Sequence, residues 1–345
     1  MSREERKLRK HVEAHKNREL RKALSKARTK QDKPPRDRAI IDPDEDDYVP
    51  HRTATARERT TAPTSAGFVV ETGPGFCDVV ASGERTRCRF PGDAAIGDNV
   101  LFSPERRRIH EILPRRTELS RPDPHNPRIQ RVIAANVDVV VNVVSLKTPP
   151  LHAGLIDRYL IAIARSGAAP LICVNKIDLQ SAAEELDPLR PYQALGIPVI
   201  FCSAASGIGL TELFAALAGK LCVFAGHSGV GKSSLLNALN PEIEIATGAV
   251  STGNEKGRHT TTSSALYHLS NGATVIDTPG IREFGLWDIT PTDLRNYFQE
   301  FLGHPCAFSD CTHTHEPNCG VKQAVAAGEI HRSRYESYVR IRASL

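Results

Sequence analysis

An apolar run, KLCVFA at 220–225, passes directly into GHSGVGKSS at 226–234 and then into the helical pattern SSLLNAL. No other feature of this chain constrains its fold as strongly. A glycine-rich loop between a buried strand and a helix belongs at the carboxyl end of a parallel sheet, where backbone N–H groups and the helix N-terminus can receive an anion. In Gly226-x-x-x-x-Gly231-Lys232-Ser233 the glycines let the amides of Gly226, His227, Ser228, Gly229, Val230, Gly231, Lys232, Ser233 and Ser234 converge on phosphate oxygens. Lys232 supplies a cation to the β and γ oxygens, and the Ser233 hydroxyl suits Mg²⁺. A glycine turn that merely caps a helix would not need the lysine.

Other apolar runs repeat the strand-then-loop pattern. VDVVVNVVSL (137–146), PLICV (170–174), IPVIFC (197–202) and ATVID (273–277) read as strands, with LIDRYLIAIARS and LTELFAALAGK as helices between them. The alternation predicts an α/β sheet whose ligand sits beyond the strands' carboxyl ends. PLICV ends in Asn175-Lys176-x-Asp178. Asn175 and Lys176 suit orientation of the loop and packing on a purine, and Asp178 can accept from guanine N1–H and its 2-amino group, a donor pair that adenine lacks. Ser203-Ala204 follows the next strand and offers a backbone N–H for guanine O6. ATVID leads into Asp277-Thr278-Pro279-Gly280, where the carboxylate can hold the Mg²⁺ shell and the Gly280 amide the γ-phosphate. GRHTTT at 257–262 offers the hydroxyls of Thr260, Thr261 and Thr262 to the same region without indicating which one binds.

These elements run base, base, phosphate, switch, switch, whereas ordinary GTPases run phosphate, switch, switch, base, base. The order predicts a circular permutation, with LTELFAALAGK linking the old termini and a new break after the second switch. Many GTPases place a glutamine after the switch glycine to orient water; here that position is Ile281. His259 is then the expected water-positioning or general-base group.

The flanks differ in character. Residues 1–38 hold 15 Lys/Arg against 6 Asp/Glu, a balance of +9, so the formal +5 of the whole chain leaves −4 for residues 39–345. The arm has almost no apolar stripe and is expected to be disordered alone, with the capacity to bind RNA. Residues 66–114 alternate short strands with Gly and Pro turns, the pattern of a small oligonucleotide-binding (OB) type barrel. In RTRCRF the period of two puts Arg85, Arg87 and Arg89 on one face, so a cationic face is expected, with Arg106, Arg107 and Arg108 nearby.

Of eight cysteines, Cys306, Cys311 and Cys319 fall within fourteen residues together with His313. Cys306-x4-Cys311-x-His313-x5-Cys319 fits a closed tetrahedral Zn²⁺ site, with His315 as a competing fourth ligand. The remaining thiols sit singly in apolar contexts, as in a reducing compartment. No apolar run approaches the ~20 residues of a membrane span, and the start of the chain is charged, so a cytoplasmic protein is expected.

Taken together, the permuted NKID, GHSGVGKSS, GRHTTT and DTPG, the barrel and the thiol–imidazole cluster resemble the ribosome small-subunit-dependent GTPase A (RsgA) family over about residues 66–343. The expected fold is α/β, a circularly permuted P-loop GTPase domain (119–290) flanked by an OB-like β-barrel (63–118) and a zinc-binding helical domain (291–345), after a basic arm (1–62). The resemblance implies GTP hydrolysis coupled to late maturation of the small ribosomal subunit and stimulated by it. It also implies contact with the subunit and its rRNA through the barrel and zinc domains, one structural Zn²⁺ per chain, Mg²⁺ with GTP, and a monomer without membrane association. Two other functions fit the motifs: a GTPase acting on another RNA, and a ribosome-binding module that holds GTP without turnover.

Overall fold

The computed structural model describes residues 64–240, 265–277 and 289–345, apart from 74, 90, 91, 124, 125, 127 and 128. The basic arm, His259, Thr260, Thr261, Thr262, Gly280, Ile281 and the side chain of Asp277 lie outside the described residues.

Five strands close the amino-terminal barrel: β1 (Ser65–Gly73), β2 (Phe76–Ala81), β3 (Glu84–Arg89), β4 (Asn99–Ser103) and β5 (Arg108–Ile112), in the order β1-β2-β3-β5-β4. Every pair is antiparallel except β3 with β5. Alternation along the strands sends Val69, Val79, Val100, Phe102 and Ile109 inward with Cys77 and Cys88, which face each other across β2 and β3. Burial pushes both thiols up, Cys77 to about 11, so they behave as small apolar groups. Arg85, Arg87 and Arg89 do point outward, but the face is less cationic than their spacing suggests. Asp78 stands opposite Arg87 in the register and takes ion pairs from Arg87 (2.8 Å) and Arg85 (2.6 Å), while Arg85 also reaches Glu71. A hairpin, β6 (Glu118–Pro122) and β7 (Gln130–Ala135), follows the barrel.

The central sheet contains β8 (Val139–Ser145), β9 (Ala169–Asn175), β10 (Val199–Phe201), β11 (Leu221–Ala225), β12 (Ala265–His268) and β13 (Thr274–Asp277), in the order β10-β9-β8-β11-β13-β12. All neighbours are parallel except β12 with β13. The chain therefore enters in the middle at β8, runs outward to β10, and crosses back to place β11 on the other side of β8. That crossing uses α3 (Leu210–Leu217) and only Ala218, Gly219 and Lys220 before β11 begins, so the old termini are joined as the motif order requires.

Because β8 is covered on both faces, it is nearly all valine. Val139, Val141 and Val143 pack with Leu213 and Leu217 of α3 and with Leu235 and Leu236 of α4 (Lys232–Leu239). On the other face Val140 meets Tyr159, Ala162 and Ile163 of α1 (Ala153–Ser166). The exception is Asn142, fully buried, whose side-chain amide has no partner among the described residues. A short α2 (Arg190–Ala194) covers the β10 end.

After the sheet, α5 (Gly320–Ala327) and α6 (Arg332–Ala343) enclose a core of Leu294, Phe298, Phe301, Val321, Tyr338 and Ile341, which also takes in Ile161 of α1. Arg334 of α6 is 5% exposed, pairs with Glu300 at 2.7 Å and with Asp157 of α1, and lies over the Phe298 ring. Burial pushes the Asp157 carboxyl up against the pull of Arg334. Breaking such a pair from one side costs about 3–5 kcal/mol, so the terminal helix is fixed to the sheet layer at that point. No helix among the described residues is long and apolar enough to cross a membrane.

Candidate nucleotide and metal sites

The phosphate loop leaves β11 beside β8, where the strand order reverses direction and parallel sheets bind their ligands. Its first glycine is dictated by that crowding: Gly226 has φ 146°, and a Cβ there would lie 2.2 Å from the Val143 carbonyl oxygen. Gly231, with φ 92°, precedes α4 and leaves room for Asn175, whose Nδ2 would be 2.3 Å from a Cβ. His227, Ser228 and Gly229 are exposed on the crest of the loop, with Val230 buried below. Lys232 Nζ donates to the carbonyls of Gly226 (2.6 Å) and His227 (2.9 Å), so the ammonium spans the cradle. The Ser233 hydroxyl has no side-chain hydrogen bond among the described residues, and Ser234 is exposed beside it.

Asn175 joins three loops. Fully buried at the end of β9, it donates from Nδ2 to the Val230 carbonyl (2.9 Å) and accepts at Oδ1 from the Ala204 amide (3.1 Å). The phosphate loop, the NKID loop and the Ser203-Ala204 loop are thereby locked in register. Lys176, in the left-handed region at φ 63°, donates to Gly229 O (2.7 Å) and to Thr148 O. Asp178 is the middle residue of a short turn, Ile177–Leu179, and is exposed. Buried Ser203 shapes its own loop, its hydroxyl accepting from Ser206 N at 3.1 Å and its carbonyl from Gly207 N at 2.9 Å. Because the Ala204 amide already serves Asn175, a guanine O6 would share that donor or turn to its neighbour. The Thr148 carbonyl is a participant that none of the motifs contains; the signal in the sequence is Pro149-Pro150, a few residues after the apolar strand.

Four ligand atoms gather in the carboxyl-terminal module: those of Cys306, Cys311, His313 and Cys319 all lie within 4.8 Å of one another. Cys306 Sγ and Cys319 Sγ are 3.7 Å apart, and His313 Nδ1 is 3.4 Å from each. A tetrahedral Zn²⁺ with Zn–S of about 2.3 Å places two sulfurs about 3.8 Å apart, so the donor set fits. Burial raises the Cys306 thiol, but hydrogen bonds from the amides of Val321 and Gly320 at the start of α5, together with those from the Cys311 and Cys319 thiols, outweigh it and favour the thiolate. Glu316 holds the loop by accepting from Thr312 N (2.8 Å) and Thr314 N (3.1 Å). Tyr335 and Tyr338 hydroxyls clamp the carbonyls of His313 and Thr312 at 2.8 and 2.9 Å. His315, the alternative ligand, turns outward with its side chain 83% exposed.

The RsgA GTPase family matches residues 112–287. The chain is 44% identical over 277 residues to the small ribosomal subunit biogenesis GTPase RsgA of Pseudomonas aeruginosa (strain LESB58), covering 77% of this chain and 80% of the relative. With the protein of that name from Chlorobaculum parvum it shares 41% over 310 residues, 83% of this chain and 96% of the other. The crystal structure of YjeQ from Thermotoga maritima superposes with a TM-score of 0.68 at 34% identity, covering 82% of this chain and 99% of that one. YloQ, described as a circularly permuted GTPase, gives 0.63 at 30% identity, with 84% and 97% covered. With relatives this similar over most of its length, the chain belongs to the RsgA GTPase family.

Proposed function

We propose that this chain couples GTP hydrolysis to late maturation of the small ribosomal subunit. As a member of the RsgA GTPase family it is a GTP hydrolase. Its relatives are named as GTPases of small-subunit biogenesis, which supports the choice of partner. The observation that carries the nucleotide reading is Asn175, which ties the base-reading and phosphate loops together and leaves Asp178 exposed for guanine.

In this reading Asp178, Asn175, Lys176, Ser203 and Ala204 select the base, and residues 226–234 hold the phosphates. Ser233 and Asp277 would hold Mg²⁺, which when bound supplies positive charge at the β and γ oxygens. Thr260, Thr261, Thr262 and Gly280 sense the γ-phosphate. Cys306, Cys311, His313 and Cys319 hold one structural Zn²⁺. The barrel and zinc modules meet the subunit and its rRNA, and the protein works as a cytoplasmic monomer. His259 positions the attacking water once the subunit orders its loop.

Single-turnover hydrolysis with and without saturating purified small subunits tests this. Stimulation by subunits is expected, and its absence removes the coupling. His259→Ala should keep GTP and subunit affinity within a few-fold but lose on the order of 10²-fold of the stimulated rate. A near-wild-type rate in that variant would transfer the role to another group.

A further inference from the structure

Positive charge on the barrel is of two kinds. On the face shared by β2 and β3, Arg85 and Arg87 are neutralised by Asp78, which is 3% exposed, with Glu71 assisting, and Arg87 also covers the Phe76 ring at 4.3 Å. At the other edge of β3 the arrangement reverses. Arg89 lies in register with Arg108 of β5, so both project from the same outer face, and the Arg89 amide donates to the Arg107 carbonyl at 2.8 Å. Arg106 stands next to them in the β4–β5 turn. All four arginines are exposed, and none forms an ion pair among the described residues; nor does Glu105 of the same turn. Like charges set opposite one another across a bridge repel and weaken the pairing.

The backbone supplies an independent observation. Arg107 sits at φ 49°, in the left-handed region that favours Gly or Asn; the β2–β3 turn fills the same region with the small residues Ser82 (φ 51°) and Gly83 (φ 83°), whereas here a long charged side chain stands there. A glycine at 107 would relieve the strain and the repulsion together. An arginine here is therefore explained by what it binds and not by how the turn folds.

We propose that Arg89, Arg106, Arg107 and Arg108 form a phosphate-binding edge of the barrel whose partner is RNA backbone; the inference rests on the reading that the chain works on the small ribosomal subunit. Guanidinium forks match phosphate oxygens bidentately and remain charged at any physiological pH. Among the described residues, the Phe76 ring on the adjoining face is already covered by Arg87, which favours the phosphate chain over the bases at this edge. The face with Arg85 and Arg87 is structural, its charges serving the buried Asp78.

The test measures binding of the full-length chain to purified small ribosomal subunits, with a non-hydrolysable GTP analogue, across a KCl series. Arg106→Gln/Arg107→Gly/Arg108→Gln should make log K against log salt shallower by about two to three units and weaken binding on the order of tenfold or more. Arg107→Gly alone should weaken binding while leaving the melting temperature unchanged or raised, which a purely structural role would not do. Arg85→Gln/Arg87→Gln should lower the melting temperature and leave the salt slope in place. If wild type binds and the triple variant keeps its affinity and slope, the edge assignment is overturned and the functional reading stands. If wild type neither binds nor is stimulated by subunits, the functional reading falls and takes the edge with it. Weakened binding by the triple variant with an unchanged hydroxyl-radical footprint on the rRNA would assign the edge to an acidic protein surface and overturn the RNA assignment.

Discussion

At the phosphate loop the chain occupies its own cations: Lys232 rests on the carbonyls of Gly226 and His227, and Lys176 on those of Thr148 and Gly229. In the carboxyl-terminal module three thiols and an imidazole converge on one point, clamped from outside by Glu316, Tyr335 and Tyr338. The first arrangement suits a ligand that comes and goes, because the Lys232 ammonium can exchange a carbonyl for a phosphate oxygen and back at little net cost. The second suits a ligand that stays, since thiolates this close need a cation to be stable and metal-binding energy there is folding energy. The two sites differ in what their removal should do: one loss touches affinity alone, the other the module itself.

The largest effect should come from the metal. Cys311→Ser, or chelation of the wild type, should release about one equivalent of zinc and forfeit on the order of 10 kcal/mol of metal-linked folding energy. Residues 291–345 should then open to protease while GTP binding largely persists. A variant with full zinc content would move the ligand set elsewhere and break the comparison from that side.

Next comes Asp178→Asn, which replaces a double acceptor by a group that can donate. GTP affinity should fall by about 3–5 kcal/mol and xanthosine triphosphate should become the better ligand. Competition binding with the two nucleotides measures this, and unchanged GTP affinity would remove Asp178 from the base site.

The smallest effect, and the one that sharpens the comparison most, belongs to Asn175→Ala. Loss of its two hydrogen bonds should cost about 1–3 kcal/mol in nucleotide affinity, because the loops no longer hold one another in register. Zinc content and protease resistance of the carboxyl-terminal module should be untouched. A loss of zinc in that variant would show that the two sites are not separate after all.

Much of this was legible in the residues, for identifiable reasons. VDVVVNVVSL predicts a strand over 137–146, and β8 spans Val139–Ser145, because a strand buried on both faces must be apolar throughout. The hairpin of β6 and β7 escaped: its first strand ends at Pro122 and its loop carries Pro124 and Pro127, which hide the alternation. The short 183–194 helical stretch escaped likewise, broken by Pro188 and Pro191. At the nucleotide site the residue types announce themselves, but the Asn175 link to Val230 joins positions far apart in sequence and depends on which strands become neighbours. On the barrel, a period of two tells which way Arg85 and Arg87 point. It cannot tell that Asp78, inside the apolar run FCDVVAS, will stand between them, because that depends on register.

Entry at the middle of the sheet has a consequence for the chain as it is being made. β9 arrives soon after β8, but β11, which closes the other side of β8, is synthesised only after the whole base-reading half, β9 and β10 with α1 to α3. Until then a nascent chain carries a valine-rich strand with one row of backbone groups open, the kind of edge through which unfinished proteins join to one another. Asn142 is the single polar residue between Val139 and Val144. Its buried amide has no partner among the described residues, and during that interval it interrupts what would otherwise be an unbroken adhesive run.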